Sequence, residues 1–194
     1  MTRTTIETHP TGTYFDFADP RPEMIYVEDI ARALSQINRF GGHTRWPYSV
    51  AQHALLVARL VREAGGSPEL CFAALHHDSH EAYLGDAPTP LKDIFKVRAP
   101  GVWEMLVSEI DVCVGRRFGI PRRLFSHAVV KAADAAALRL EAAVLKESGG
   151  VGAHWPATHS SRPDIPTGAL TRIEPEWAEH LFLAAHRRAL AAVS

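Results

Sequence analysis

Apolar positions along this chain recur at spacings of three and four, the period of amphipathic helices. Over 27–39 they fall at Ile30, Ala33, Leu34 and Ile37, and Gly41-Gly42 closes that segment. Ser49 is placed to cap a helix over 50–64, which Gly65-Gly66 stops. Ser67-Pro68 opens the next, with proline at the first helical position, and the pattern runs to about Leu84. The string Gly85-Asp86-Ala87-Pro88-Thr89-Pro90 breaks it. Helical patterns resume over 101–118, 122–147 and 174–192, and no alternating pattern or internal repeat intervenes. The fold class this predicts is all-α, a compact bundle of five to seven helices.

Two stretches stand outside that period. Residues 1–24 are rich in Thr, Pro, Asp and aromatics and read as an extended arm or short hairpin laid on the surface. The segment GGVGAHWPATHSSRPDIPTG is too rich in Gly, Pro and Ser for regular structure, and a loop that long in a compact domain is usually functional or mobile. With 194 residues the chain forms one domain able to bury its own core. It divides into an arm at 1–26, a helical core at 27–147, a loop at 148–173 and a C-terminal helix at 174–194.

Composition narrows the partners. A formal net charge of −1 provides no field for holding duplex nucleic acid, although a few Arg and Lys can still hold one small anion. Cys71 and Cys113 form no CxxC and read as reduced, buried thiols of a cytosolic protein. The N-terminus lacks an apolar signal core and no run reaches ~18 apolar residues, so no membrane partner and a cytoplasmic location are expected. The count of 11 histidines is high for this length, and histidine is the commonest metal ligand.

Placement gives that count its meaning. At about 100° per residue, Val50, Leu56, Val57 and Leu60 all lie within about 60° of His53, so His53 faces the core. The face carrying His77 also carries Leu70, Ala73, Ala74, Glu81 and Leu84, with Asp78 alongside. Buried carboxylates are costly unless paired or bound to a cation, and one shared divalent ion accounts for all four groups. On 122–147 the apolar stripe centres on Val129, Ala133, Ala136 and Leu140. Asp134 lies at its edge with His127, Lys131 and Glu141, and periodicity leaves it evenly between a ligand and a solvated carboxylate.

His53, then His77-Asp78, then Asp134 resembles the H…HD…D signature of the HD-domain metal-dependent phosphohydrolases. Within that superfamily the sequence is most similar to the YfbR-like 5′-deoxynucleotidases and related phage-type nucleotide hydrolases. Arg45-Trp46, Ser49-Val50-Ala51-Gln52-His53, His77-Asp78-Ser79-His80-Glu81, Gly85 to Pro90 and Lys131-Ala132-Ala133-Asp134 occur in the family's order across roughly 28–145. One departure is Gln52, where the family carries an acidic residue.

The resemblance implies one divalent transition metal ion held by His53, His77, Asp78 and Asp134. Two imidazoles with two carboxylates suit Co, Mn, Fe or Zn ahead of Mg. It further implies Glu81 and Asp86 as catalytic groups acting on the water and the leaving oxygen, and Arg45 and Trp46 as substrate contacts. Tyr48, His43, Lys92 and Lys131 are further candidates for substrate binding. His76 and His80 flank the motif and leave a second metal as a lesser alternative. His9, His154, His159, His180 and His186 read as surface residues. The expected function is hydrolysis of (deoxy)nucleoside 5′-monophosphates to nucleoside and phosphate. Alternatives are hydrolysis of nucleoside triphosphates and, from another class, a catalytically inactive nucleotide-sensing module. A homodimer or higher homo-oligomer is the family's expectation.

Overall fold

The computed structural model describes residues 3–150 and 170–193. Seven helices of nine residues or more occur among them: α1 (Val27–Gln36), α2 (Val50–Glu63), α3 (Pro68–His76), α5 (Thr89–Arg98), α6 (Val102–Phe118), α7 (Ala128–Leu145) and α8 (Pro175–Val193). A single turn, α4 (Glu81–Leu84), sits between α3 and α5. The expected hairpin forms as β1 (Thr5–Glu7) and β2 (Tyr14–Asp16), antiparallel with Ile6 opposite Phe15. The all-α fold is as the sequence predicts. No helix of the described residues is long and apolar enough to cross a membrane. The central part of the predicted 148–173 loop, with His154 and His159, lies outside the described residues.

Helix α2 is the axis of the bundle, packing against α1, α3, α7 and α8. A capping box starts it: Gln52 N–H donates to Ser49 Oγ and Ser49 N–H to Gln52 Oε1. The amide of Gln52 also donates to Thr171 O at 3.0 Å, tying α2 to the segment before α8. Gln52 therefore has work at this position that does not call for a charge. On α8, Ala178, Phe182 and His186 are buried at four-residue spacing, the stripe that docks this helix on α1 and α3.

Three expectations are corrected. The helix predicted over 68–84 stops being α-helical at His76, and Ser79, Glu81 and Ala82 donate to carbonyls three residues back. That tightened turn carries the His77-Asp78-Ser79-His80 string. The sequence predicts a break at Gly85–Pro90 and no helix before 101, yet α5 starts inside that break, with Pro90 in its first turn, where a missing N–H costs nothing. His186, read as a surface residue, is buried and lies 2.9 Å from His76 Nε2, among the rings of Phe72 and Phe118.

Candidate metal centre

Helix α2 and the turn after α3 bring His53 and His77 together, with ring centroids 5.3 Å apart. Both are deeply buried. Each ring is oriented through Nδ1. His77 Nδ1 donates to Ala74 O at 2.8 Å; a carbonyl only accepts, so Nδ1 keeps its proton and Nε2 is the atom that can ligate once deprotonated. His53 Nδ1 donates to Glu141 Oε1 at 2.7 Å with the same consequence. The two Nε2 atoms are buried without a hydrogen-bond partner.

Two carboxylates face those nitrogens. Asp78 Oδ2 lies 3.4 Å from His53 Nε2 and 3.2 Å from His77 Nε2. Asp134 Oδ1, from α7, lies 3.2 Å and 3.8 Å from the same atoms. Ligand atoms of His53, His77 and Asp78 all fall within 4.8 Å of one another, a spacing one ion can span. Two buried Nε2 atoms converging on two carboxylates fit a divalent cation in place of the protons they share. The described residues thus contain a His/Asp cluster able to hold a metal ion.

Electrostatics follow from the same proximity. Burial opposes charge on His77, but Asp78 and Asp134 overcome it and raise its pKa to about 10. Burial and then Arg39 work against the His53 charge, and Glu141, Asp134 and Asp78 still hold its pKa well above the imidazole range. Against burial, the two imidazoles hold Asp78 well below the usual carboxylate range, and Asp134 is likewise lowered. Without an ion the cluster holds protons where the metal would sit.

Glu81 heads α4 and is 2% exposed. Burial first, and then Asp78 and Asp86, push its pKa up to about 8. Its Oε1 lies 3.5 Å from Lys92 Nζ, while Oε2 is buried without a partner. Asp78, His80 and Glu81 form a second close group, but His80 Nδ1 already donates to Asp111 and the Lys92 ammonium is at hand. His76 points away from the cluster, toward Ser79 and His186.

Asp86 accepts from Phe40 N–H at 3.1 Å. Phe40 has φ of 57°, a left-handed conformation uncommon for a bulky side chain, so Asp86 holds a constrained turn at Arg39–Gly42. Lys131 lines a cavity beside the cluster. Arg45 is not brought there. Its N–H donates to Leu145 O at the far end of α7, eleven residues past Asp134 and about 16 Å along the axis. Its side chain makes an exposed ion pair with Glu147. Trp46 donates to Leu170 O, and His43 O accepts from Lys146. Tyr48 is fully buried beside Glu141, in the core rather than in a pocket, which removes it from direct substrate contact.

Sequence reasoning missed the support behind His53. Glu141, wholly buried, accepts from His53 through Oε1 and from Arg39 Nε and Nη2 through Oε2, at 3.2 and 3.1 Å. The signal available was an acidic residue interrupting an apolar helix seven positions, about two turns, after Asp134.

No family model matches the chain. It is 37% identical over 111 residues to the "Uncharacterized protein YfdR" of Escherichia coli (strain K12), a match covering 57% of each chain. It is 39% identical over 138 residues to the "Uncharacterized protein RCAP_rcc00048" of Rhodobacter capsulatus, covering 68% of each. The chain thus spans little more than half the length of the first relative and about two thirds of the second.

Proposed function

We propose a hydrolytic function for this chain, which belongs to the family of the uncharacterized Rhodobacter capsulatus protein RCAP_rcc00048: an HD-type, metal-dependent phosphohydrolase acting on nucleotides. The observation that carries the reading is the pair of buried Nε2 atoms of His53 and His77, which converge with Asp78 Oδ2 and Asp134 Oδ1 within 3.2–3.8 Å. His53, His77, Asp78 and Asp134 would hold the ion, a transition metal such as Mn, Co, Fe or Zn. When bound, it supplies Lewis-acid polarisation of a phosphoryl group and acidifies water.

The remaining work falls to the chain. In hydrolysis the water oxygen bonds to phosphorus as the ester P–O bond breaks. Glu81, whose Oε2 is buried without a hydrogen-bond partner, takes or orients the water proton. Lys92 holds its other oxygen. Asp86, near Glu81, returns a proton to the leaving oxygen. The first substrate class is the (deoxy)nucleoside 5′-monophosphates, as the motif resemblance implies, and nucleoside triphosphates are the second. The inactive sensing module is the less economical reading, because a sensor has no use for a partnerless buried Glu81 oxygen that costs stability.

Metal analysis of the purified protein, followed by turnover of a nucleotide panel with Mn²⁺, Co²⁺ and Mg²⁺, tests the proposal. Transition-metal-dependent release of phosphate, lost in Asp78→Ala, is the expected result. Normal turnover in the metal-free protein or in that variant would overturn it.

A further inference from the structure

Of the residues that α8 buries, Ala178, Phe182 and His186, only the last is polar. His186 Nδ1 lies 2.9 Å from His76 Nε2, and His76 Nδ1 lies 2.8 Å from Ser79 Oγ. His76 and Ser79 are fully buried and His186 nearly so. The two imidazoles stand among the rings of Phe72 and Phe118, with Phe182 edge-on to His76. Burial in that setting pushes both below the ordinary imidazole range, so each is neutral and carries one proton. A line of hydrogen bonds thus runs from α8 through the end of α3 to the turn that carries Asp78.

Such a line has one direction at a time. Either His186 donates to His76 and His76 to Ser79, or the hydroxyl donates to His76 and His76 to His186. Apolar side chains would fill the same space with no hydrogen bonds to satisfy, so packing alone does not call for polar groups here. A satisfied buried network instead fixes a single arrangement. What it fixes is the turn at Ser79. The backbone there is held by three-residue bonds: Ser79 N–H to His76 O at 3.1 Å, Glu81 N–H to Asp78 O at 3.0 Å and Ala82 N–H to Ser79 O at 3.2 Å. These have poorer geometry than α-helical bonds, so a turn built on them needs support from outside. Ser79 is flanked by Asp78, whose Oδ2 faces both ligand imidazoles, and Glu81 follows two residues later.

We propose that His186 is a positioning residue of the metal centre: through His76 it holds the Ser79 hydroxyl, and with it the turn that presents Asp78 and Glu81. The inference rests on the metal-dependent reading of the site. It adds to that reading α8, a helix that contributes none of the candidate ligands.

Amide hydrogen exchange of the metal-free full chain reads the turn apart from turnover. His186→Phe keeps a ring but loses the hydrogen bond, and the amides of Ser79, Glu81 and Ala82 exchange about tenfold faster relative to those of α2. Ser79→Ala, which cuts the line at its other end, has the same effect and serves where His186→Phe does not fold. His186→Asn places an amide that can donate or accept near the Nδ1 position, and it restores slow exchange. Ala178→Gly weakens α8 about two turns away without touching the line, and leaves the relative exchange of the turn unchanged. Competition with a chelator then shows Co²⁺ bound about tenfold more weakly in His186→Phe than in His186→Asn. In turnover kcat falls about tenfold in His186→Phe at an unchanged KM. Unaltered turn amides in both His186→Phe and Ser79→Ala, or the full change reproduced by Ala178→Gly, overturns the proposal. If the turn loosens as stated while the unsubstituted protein binds no Co²⁺, the metal reading fails and the link from α8 to the turn stands. If Co²⁺ affinity and nucleotide hydrolysis are unaltered in His186→Phe, the positioning role fails and the hydrolase reading stands.

Discussion

Glu141 Oε1 lies 2.7 Å from His53 Nδ1, and both side chains are wholly buried. The carboxylate fixes the tautomer that leaves His53 Nε2 free for a cation, and Arg39 in turn neutralises the carboxylate. Such outer partners typically contribute ~10–100-fold to metal affinity. Glu141→Gln is therefore expected to weaken Mn²⁺ or Co²⁺ binding by about that factor, measured by competition with a chelator. Glu141→Ala also strands the buried Arg39 and is expected to cost about 3–5 kcal/mol in chemical denaturation. Metal affinity unchanged in Glu141→Gln would mean that His53 is oriented by packing alone.

Metal binding must displace protons. In the metal-free protein the His77 pKa is about 10 and that of His53 is raised in the same direction, so at neutral pH both imidazoles are protonated. A ligand imidazole must be neutral. Apparent affinity should thus rise with pH through neutrality and level off only above about 10. Below that, each displaced proton contributes about tenfold per pH unit. Calorimetry in buffers of different ionisation enthalpy counts the protons released. Release of none at pH 7 would separate the ion from these two histidines.

The same groups show how far the sequence reached. Helical periodicity predicted His53 as inward, because α2 is regular and its apolar neighbours share that face. The inward place of His77 was also predicted, although the turn carrying it is not the continuous helix assumed. Asp134 stayed ambiguous since it stands at the edge of its stripe, and only tertiary packing brings its Oδ1 to the two imidazoles. Arg39 with Glu141 was not legible for a different reason. That pair matters through a contact that joins segments 102 residues apart, and no local period reports it. His186 was legible and misread, for Ala178, Phe182 and His186 form a four-residue stripe.

Glu81 links burial to pH dependence. Burial and the neighbouring Asp78 and Asp86 raise its pKa to about 8, so at lower pH it is protonated and cannot accept a proton from water. Rate should increase with pH as Glu81 ionises. An ion that offsets the Asp78 charge shifts the midpoint of this ascending limb below 8 in the loaded enzyme. Glu81→Gln should retain metal, lower kcat by about 10²–10⁴-fold and abolish that limb. A pH–rate profile with the same ascending limb in the variant would assign it to another group.

Asp86 carries two roles that its substitutions separate. Through Oδ2 it accepts from the N–H of Phe40, at φ of 57°, and so secures the turn that leads to Arg39 and its bond to Glu141. Asparagine keeps an oxygen acceptor at that position but has no carboxyl proton to deliver to a leaving group. Asp86→Asn should therefore retain the melting temperature while kcat falls about 10²-fold or more. Asp86→Ala removes the acceptor as well, so the bond from the Phe40 N–H is lost and stability should fall by a further ~1 kcal/mol. Equal kcat in Asp86→Asn and the unsubstituted protein would confine Asp86 to holding the turn. The leaving oxygen would then take its proton from another group or from solvent.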